Sequence, residues 1–488
     1  MMQFAYSRQD IKTWEQRWFS QQNSSFALMQ QVAWTLHKEL LELFKDQNKE
    51  KFKIALCCGQ GNNAGDGYLV AVYLKRAGFL VDIYAAELGQ SLDLAKARQC
   101  AENDQINIIS GFDFKLEYDC YVDALFGIGL DRPLNEYWQN IIHNINSRVG
   151  IKITIDIPSG LNANTGRALP CAIKADYCFT VLGLKIGLLT GQAQEYTGQI
   201  KLLDLIPIDS GLIPLAYISP THIKLNKRKA YGHKGDYGHV VIVGGHEQMG
   251  GAVIMAAEAA SCAGAAKVTV VCHAKHHVAI LSRSPNLMLR DIDRMTISDI
   301  QELLQQIDAV CIGMGLGRDQ WAEQHFTHWF AELNRSSVDV VYDADALWFL
   351  AKYPSQLKIK SYATPHPGEA ATLLQQSVAT VESDRVAAIK KLQQNYGGQW
   401  VLKGSGSLIL QEQLWVCRAG NPGMATGGMG DILAGMIAGL KAQMGEQIAL
   451  HQIVTLHALA GDALAQYGMR GMRAQKMIET IYDVVNLE

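Results

Sequence analysis

The chain has 488 residues, 48% of them apolar and 19% charged, so it is long enough for two or more domains with buried cores. Its formal net charge of -3 argues against a polyanion partner, and the basic run Lys224, Lys227, Arg228 and Lys229 therefore indicates a solvated linker rather than a nucleic-acid surface. No apolar run reaches the length of a membrane span, and the N-terminus shows no cleavable apolar segment, so we expect no membrane partner.

The ten cysteines have no Cys-x-x-Cys pair and no zinc spacing. Half of them lie in apolar runs typical of buried strands, namely Cys57, Cys58, Cys178, Cys272 and Cys311. Reduced thiols in a protein core are the simplest account of this pattern, which predicts a cytoplasmic protein.

Residues 1 to about 50 have the apolar spacing of helices, and their aromatic residues are typical of core packing. A strand-like run, Ile54–Cys58, comes next and is followed by a predicted glycine loop at 59–67 and a helix. Strand, glycine loop and helix in this order open a nucleotide-binding βαβ unit. Asn62, Asn63 and Asp66 add oxygen atoms that a plain pyrophosphate loop does not require.

Two further predicted strands in the first half end in polar residues. One is the run 121–126, which leads into 127–133, and the other is 151–156, which leads into 157–161. Since the carboxyl ends of parallel strands line the ligand crevice of an open sheet, Asn63, Asp123, Asp156 and Ser159 are expected to meet there. Each residue alone is more typical of a turn, and three strand ends built alike favour a site.

Four stretches of the first half resemble the NAD(P)HX epimerase domain: 61–67, 122–133, 155–161 and 183–188. The resemblance extends over about residues 1–208. It implies that Asp156 serves proton transfer and that Asn63, Asp123 and Ser159 hold a potassium ion, which suits an all-oxygen site. It also implies that the following residues bind the hydrated cofactor: Asn62, Asn63, Ala64, Gly65, Asp66, Gly127, Ile128, Gly129, Leu130, Asp131, Arg132, Pro133 and Asp156.

One position in this half departs from the family pattern, since Ala64 stands where glycine is usual. Its methyl group is expected to crowd the ligand or to require a different backbone angle. Pro207, Pro214 and Pro220 then mark a boundary. We therefore expect a first domain at 1–208, a linker at 209–221 and a second domain at 222–488.

The second half alternates predicted strands and helices again, which indicates another mostly parallel sheet covered by helices. The strand candidates are 240–243, 268–272, 309–312, 338–342, 400–402 and 408–410, and a small-residue helix opens at 250–252. Polar residues and glycines again follow the ends of the predicted strands. Gly313–Gly317 is a tight loop, Asp343 and Asp345 place two carboxylates at a strand end, and His366 is fixed between two prolines.

Residues 420–431 contain five glycines and one proline, which predicts a loop, and the helical pattern after it contains small residues that allow close packing. A glycine loop running into a helix points backbone N–H groups at one spot, where an anion can bind. Asp431, as the last residue of the predicted loop, has two interpretations. It is either a helix N-cap or the base that takes a proton from an attacking hydroxyl group.

The string from Gly420 to Asp431 closely resembles the ADP-dependent NAD(P)HX dehydratase, which has a ribokinase-like fold, and the resemblance extends over about 222–488. It implies magnesium, and phosphorylation of the ring hydroxyl by ADP before phosphate leaves. Met314 departs from the usual Pro, and two loop serines depart from the usual Ala and Thr. The implied cofactor contacts are Ala252, Gly315, His366 and Asp431, and the implied nucleotide contacts are Lys403, Gly404, Ser405, Gly406, Ser407 and Gly430.

The expected fold is therefore α/β, with a Rossmann-like N-terminal domain and a ribokinase-like C-terminal domain. The expected function is repair of hydrated NAD(P)H, with NADHX, NADPHX and ADP as small-molecule substrates and a homo-oligomer as the assembly. Two alternatives are a kinase of a small alcohol and a non-catalytic nucleotide-binding module attached to a kinase. The extended match from Gly232 to Asp431 argues against the first alternative, and Asp156 with the potassium-type oxygens argues against the second.

Overall fold

The computed structural model describes residues 3–487 and divides into two compact units, Phe4–Ala216 and the chain from Tyr217 onwards together with Gln3. Met1, Met2 and Glu488 fall within the two expected domains but lie outside the described residues. Within 3–487, no helix combines the length and the apolar character that crossing a membrane requires.

The N-terminal unit alternates strands and helices after an opening strand and two helices. Its elements are β1 (Phe4–Tyr6), α1 (Arg8–Ser20), α2 (Ser25–Leu43), β2 (Lys53–Cys58), α3 (Asn62–Arg76), β3 (Leu80–Ala85), α4 (Leu92–Asn103), β4 (Asn107–Ser110), β5 (Cys120–Ala124), α5 (Glu136–Ser147), β6 (Ile151–Ile155), β7 (Tyr177–Val181), β8 (Leu184–Lys185), α6 (Ala193–Tyr196) and β9 (Gln199–Leu203).

The main sheet of this unit is parallel throughout and has the order β4-β3-β2-β5-β6-β7-β9. β1 pairs separately with β8. Side chains of β2 alternate between two cores, with Leu56 on one face of the sheet and Cys57 on the other. The strand order reverses between β2 and β5, which is where ligands bind in open α/β sheets.

The C-terminal unit follows the same alternation over a longer stretch. Its elements are β10 (Ala216–Ile218), β11 (His239–Val243), α7 (Gly250–Cys262), β12 (Lys267–Cys272), α8 (His277–Arg283), β13 (Met288–Asp291), α9 (Ile297–Leu304), β14 (Ala309–Ile312), α10 (Gln320–Arg335), β15 (Asp339–Tyr342), α11 (Asp345–Lys352), β16 (Leu357–Ala363), α12 (Pro367–Leu374), α13 (Val378–Ser383), α14 (Arg385–Tyr396), β17 (Gly397–Leu402), β18 (Leu408–Leu410), β19 (Leu414–Val416), α15 (Met429–Met444), α16 (Leu450–Ala465) and α17 (Ala474–Val485).

The parallel part of its sheet has the order β13-β12-β11-β14-β15-β16-β17, and β18 and β19 extend it as antiparallel strands. The order reverses between β11 and β14. In chain order this is the arrangement of the N-terminal sheet, although the two halves share no detailed sequence likeness. The predicted α/β class with two mainly parallel sheets is confirmed.

Helix α15 packs directly on α7, as its small residues predicted. A Cβ atom on Gly435 would lie 2.1 Å from the carbonyl oxygen of Ala256, and one on Gly439 would lie 2.6 Å from that of Ala260. Because both neighbours are backbone atoms, a side chain at either position would push the helices apart. The two glycines therefore set the distance between α7 and α15.

Two helices begin earlier than the sequence pattern predicted. The predicted loop 59–67 ends at Gly61, and Asn62–Gly67 form the first turns of α3. Likewise α15 begins at Met429, because Gly428, with a φ of 95°, occupies its N-cap. Asp431 is thus neither the end of a loop nor a helix cap, and it lies inside the first turn of α15.

The basic run is exposed, as expected for a solvated segment, but it packs against the protein. Lys224, Lys227, Arg228 and Lys229 line a groove of about 690 Å³ into which the C-terminal ends of α7, α15 and α17 also project. Arg228 donates to the carbonyl oxygen of Gly264 and stacks over the Tyr237 ring. Positive charge at helix C-termini is favourable, so the run stabilises these ends.

Candidate functional site

The N-terminal unit has a cavity of about 860 Å³ where its strand order reverses. Most of the predicted cofactor contacts line it, namely Asn62, Asn63, Asp66, all of 127–133 and Asp156. Ala64 and Gly65 do not. Ala64 is fully buried in the core with a helical backbone, so its methyl group neither meets the cavity nor strains the chain. Gly65 packs against Met29, whose side chain would lie 2.6 Å from a Cβ atom there.

Asp123 and Ser159, two of the three predicted potassium ligands, are hydrogen-bonded to each other below this cavity. The Ser159 N–H donates to Asp123 Oδ2 over 2.8 Å, and its hydroxyl donates to Oδ1 over 2.6 Å. Burial raises the pKa of Asp123 to about 6, although these hydrogen bonds partly offset the effect. Within 3–487, no cationic side chain pairs with this carboxyl group.

Asn63, the third predicted potassium ligand, comes from the first turn of α3. It lies against Gly127, where a Cβ atom would be 3.4 Å from that of Asn63. Gly127 follows Phe126, whose N–H donates to Ser159 Oγ over 2.8 Å. The Asn63 Nδ2 atom is buried and has no hydrogen-bond partner in the described part of the chain. Since this amide N–H group is a donor, it is available to an acceptor atom of a ligand in the cavity that Asn63 lines.

Asp156 follows β6 in a left-handed backbone conformation with a φ of 70°. Its Oδ1 atom accepts from the ammonium group of Lys185 and from the Val181 N–H, the latter over 3.2 Å. Lys185 is fully buried and also donates to Thr180 Oγ1 (3.1 Å) and to the Val181 carbonyl (2.7 Å), so all three of its N–H donors are used. Asp156 Oδ2 forms no hydrogen bond within 3–487 and lines the cavity.

Sequence reasoning missed four charged residues that line this cavity, namely Lys12, Glu15, Asp93 and Lys185. A signal existed for Lys185, which is the single charge in the apolar run 182–189. Glu15 gave none, because an acidic residue in an amphipathic helix is ordinarily solvent-exposed. In the structure, burial and the nearby Asp156 raise the pKa of Glu15 to about 7.

In the C-terminal unit, the strand ends bring Asp343, Lys403 and Gly430 together. Lys403 Nζ lies 2.8 Å from Asp343 Oδ1, and Asp343 also accepts from the Thr364 hydroxyl over 2.7 Å. A Cβ atom on Gly430 would lie 3.2 Å from Lys403 Nζ. The ammonium group therefore lies at the start of α15, where the first-turn N–H groups have no helical partner.

Asp431 is the acidic group of this turn, and its side chain accepts no hydrogen bond from residues 3–487. Burial raises its pKa to about 7, Asp343 adds to the shift, and Lys403 partly opposes it. Such a carboxyl group exchanges a proton readily at neutral pH. Burial acts in the opposite direction on Lys403, but Asp343 and Glu369 outweigh it and raise the pKa of that ammonium group.

Gly315 and Ala252 are neighbours where the strand order reverses. Gly315 has a φ of 57°, and a Cβ atom on it would lie 2.5 Å from the Met249 carbonyl oxygen and 3.4 Å from Ala252 Cβ. His366 is the N-cap of α12, where its Nδ1 atom accepts from the Gly368 N–H over 3.0 Å. Structural capping accounts for that nitrogen, and the Nε2 atom lies 3.5 Å from Glu369 Oε1.

The predicted nucleotide loop 403–407 joins β17 to β18, and its shape depends on a buried arginine that the sequence did not single out. Arg385 Nη2 donates to the carbonyl oxygens of Leu402 and Lys403, each over 3.1 Å. Gly404 has a φ of 138°, and a Cβ atom there would lie 3.0 Å from the guanidinium group. The loop thus needs glycine for both its backbone angle and its contact with Arg385.

Both units place polar and charged side chains in the crevice where the strand order reverses, and the second adds an acid with a raised pKa at a helix N-terminus. These features define an α/β enzyme with two separate sites. Two family models match the chain, described as YjeF-related protein N-terminus over residues 25–187 and NAD(P)H-hydrate dehydratase over residues 240–483.

Full-length relatives agree with the family models. The chain is 38% identical to the bifunctional NAD(P)H-hydrate repair enzyme of Escherichia coli (strain K12), over 88% of this chain and 84% of the relative. It is 35% identical to the enzyme of that name from Coxiella burnetii, over 99% of this chain and 100% of the relative. A ribokinase-like superfamily protein from Enterococcus faecalis V583 is 30% identical, covering 53% of this chain and 90% of that one with a TM-score of 0.48. The chain belongs to the bifunctional NAD(P)H-hydrate repair enzyme family, which confirms the family predicted from the sequence.

Proposed function

We propose that this chain repairs hydrated NADH and NADPH by two reactions, one in each unit. The N-terminal unit interconverts the R and S epimers of the hydrate, and the C-terminal unit dehydrates the S epimer at the expense of ADP, which yields NAD(P)H, AMP and phosphate. The main support in the structure is Asp431, which has a pKa of about 7 and lies in the first turn of α15. We assign the two reactions to residues 1–208 and 222–488, with 209–221 as the linker.

In the dehydratase reaction, the oxygen of the ring hydroxyl group attacks the terminal phosphorus of ADP, and Asp431 takes the proton of that hydroxyl group. The phosphorus–oxygen bond to AMP breaks, and AMP leaves. Phosphate then departs with the electrons of the carbon–oxygen bond, and loss of a ring proton restores the double bond. Ala252, Gly315 and His366 hold the substrate, while Gly430 and the loop 403–407 hold the nucleotide.

Magnesium suits this site because it is usually bound by one or two carboxylates together with substrate phosphates. Asp343 and Glu369 are the two carboxyl groups that could hold it. They lie close together, since their oxygens are 2.8 and 3.8 Å from the same Lys403 Nζ atom. The ion would neutralise phosphate charge and orient the terminal phosphate group. Within 3–487, no group of three His, Cys, Asp or Glu side chains has metal-binding geometry.

In the epimerase reaction, we assign proton transfer to Asp156 and the potassium ion to Asn63, Asp123 and Ser159. A monovalent cation fits the buried carboxyl group of Asp123, which has no cationic partner within 3–487. The side-chain oxygens of Asn63 and Ser159 are ligands of the kind that a hard cation prefers. The ion would supply positive charge beneath the bound hydrate. Asn62, Asn63, Asp66 and 127–133 line the cavity at this site, whereas Ala64 and Gly65 pack in the core behind it and are not assigned a ligand contact.

The cellular setting is part of the same proposal. All ten cysteines are free thiols. Thiols without disulfides suit a reducing compartment, so we propose the cytoplasm. A homo-oligomer stays a prediction.

The proposed function is tested by following NADH absorbance after adding the protein to a mixture of both hydrate epimers, ADP and magnesium. We expect complete recovery of NADH. Recovery of one epimer only would contradict the epimerase assignment. Failure to recover NADH, together with phosphorylation of a small alcohol, would instead favour a kinase.

A further inference from the structure

We propose that Glu15 on helix α1 is a second catalytic acid–base residue of the epimerase site, acting together with Asp156. This inference rests on the proposed epimerase function and adds a residue to it. Glu15 lies outside the matched family model, which begins at residue 25.

Helix α1 contributes one face to the cavity. Ile11, Lys12, Glu15 and Phe19 line it, at the spacing of neighbouring positions on a helix. The helix is fixed from its other side by the buried Trp14, whose indole N–H donates to the carbonyl oxygen of Pro207 over 3.2 Å. Glu15 is therefore held in the cavity wall by the packing of its own helix.

The carboxyl group of Glu15 has no hydrogen-bonding role in the fold. Asp10, on the same helix, completes a capping box with Ser7 at 2.9 Å. Glu15, by contrast, neither accepts a hydrogen bond nor forms an ion pair within the described residues 3–487. A largely buried carboxyl group without a partner costs stability, and such groups are concentrated at functional sites.

Four titratable groups surround Glu15, and they come from four elements. Asp156 follows β6, Lys185 ends β8, Asp66 lies on α3 and Lys12 is on α1 itself. Lys185 is used in full by Asp156 and two other acceptors, so its charge is compensated locally. Burial raises the pKa of Asp66 well above its usual range, so Asp66 holds a proton of its own. A second proton, on Glu15, lowers the repulsion between Glu15 and Asp156.

That proton is available on Glu15 near neutral pH. Burial and then the charge of Asp156 raise its pKa to about 7, while Lys185 and Lys12 partly oppose the shift. Asp156, with Lys185 as its ion-pair partner, remains the group suited to act as the base. A protonated Glu15 facing an ion-paired Asp156 places an acid and a base at one site.

The chemistry of a hydrated dihydronicotinamide requires such a pair. An enamine is protonated at the carbon that is not bonded to nitrogen. Water therefore adds to the ring carbon that is bonded to nitrogen. Glu15 donates its proton to the ring hydroxyl group while the carbon–oxygen bond breaks and the nitrogen electron pair forms a carbon–nitrogen double bond. Water then adds to the opposite face of that carbon and loses one proton to Asp156, and transfer of this proton back to Glu15 restores the starting state without any oxidation or reduction.

The test is the Glu15→Gln variant in the full-length protein, with both activities measured on the same preparation. We expect kcat for epimerisation to fall about 100-fold or more, and dehydration of the S epimer to be unchanged. The melting temperature of the variant should rise, since glutamine removes a repelled carboxyl group. The matched control is Glu42→Gln on α2, an exposed residue paired with Lys45, which should leave both activities unchanged.

A pH profile separates catalysis from structural support. In the wild type, kcat for epimerisation should decline above pH about 7, because the first step needs the proton of Glu15. The residual rate of Glu15→Gln should lack this decline, and Glu15→Asp should recover part of the activity. Wild-type epimerisation with undiminished Glu15→Gln activity would overturn the inference, whereas a wild type without epimerisation would refute the proposed function itself.

Discussion

The Lys403 ammonium group lies 2.8 Å from the carboxylate of Asp343, between the end of one strand and the start of helix α15. It is surrounded by Glu369 at 3.8 Å and by Asp431, whose pKa it lowers. One ammonium group among three carboxyl groups leaves the site short of positive charge for a nucleotide diphosphate. The magnesium ion proposed above would supply this missing positive charge.

We first predict the effect of Asp431→Asn. The variant should fold and bind nucleotide, but dehydration should be abolished because no group accepts the hydroxyl proton. The raised pKa of Asp431 means that its stabilising contribution is present below pH about 4 and is lost as pH rises through 7. At pH 8, denaturant unfolding should therefore find the variant more stable by roughly 1–3 kcal/mol. If Asp431→Asn dehydrates the substrate at the wild-type rate, Asp431 has only a structural role.

The second prediction concerns the pH dependence of dehydration. Asp431 acts as a base, so kcat should fall as pH drops through about 7. Lys403→Met removes the positive charge that lowers the pKa of Asp431, and the remaining activity should show this limb at higher pH. A pH profile of kcat for both proteins checks this shift. If kcat of the two proteins falls over the same pH range, Lys403 does not influence the pKa of Asp431.

The third prediction concerns the contact between α7 and α15. Gly435→Ala places a methyl group 2.1 Å from the Ala256 carbonyl oxygen, and we expect the free energy of unfolding to fall by about 1–3 kcal/mol. Dehydration should weaken as well, because α15 carries Asp431. The control is Gly251→Ala on α7, where a Cβ atom meets nothing within 4 Å. If Gly435→Ala is as stable as this control, the close packing has no energetic importance.

The fourth prediction concerns potassium. Asp123 is buried without a cationic partner within 3–487, so the proposed ion supplies its counter-charge. Epimerisation by the wild type should increase with potassium chloride and fall when a bulky ammonium salt replaces it. Asp123→Asn should be slow at every salt composition, while dehydration by the same protein serves as the control. A variant that still responds to potassium would exclude Asp123 as the ligand.

The sequence predicted the parts of the fold that depend on local pattern. Buried parallel strands such as Ile54–Cys58 are short apolar runs bounded by glycine, and polar residues after them indicate strand ends at a crevice. This was enough to place Asp156 at a crevice and Asp431 near the start of a helix that follows a glycine loop. The contact of Gly435 with α7 was also predictable, because small residues at helical spacing have few other uses.

Contacts made between distant segments could not be predicted in this way. Glu15 enters the cavity only because Trp14 fixes α1 against the rest of the unit, and Arg385 supports the loop 403–407 from a helix that precedes it. The early starts of α3 and α15 were missed for another reason. Glycine has a low helix propensity and so predicts a loop, whereas tertiary packing keeps Gly65 and Gly430 helical.

The most direct test of the account measures the fraction of an epimer mixture that two single variants convert, separately and together, with ADP and magnesium. Asp156→Asn should stop after the S epimer is consumed, Asp431→Asn should restore no NADH, and an equal mixture of the two proteins should restore all of it. Complete conversion by Asp156→Asn alone, or any conversion by Asp431→Asn alone, would contradict the assignment of one reaction to each unit.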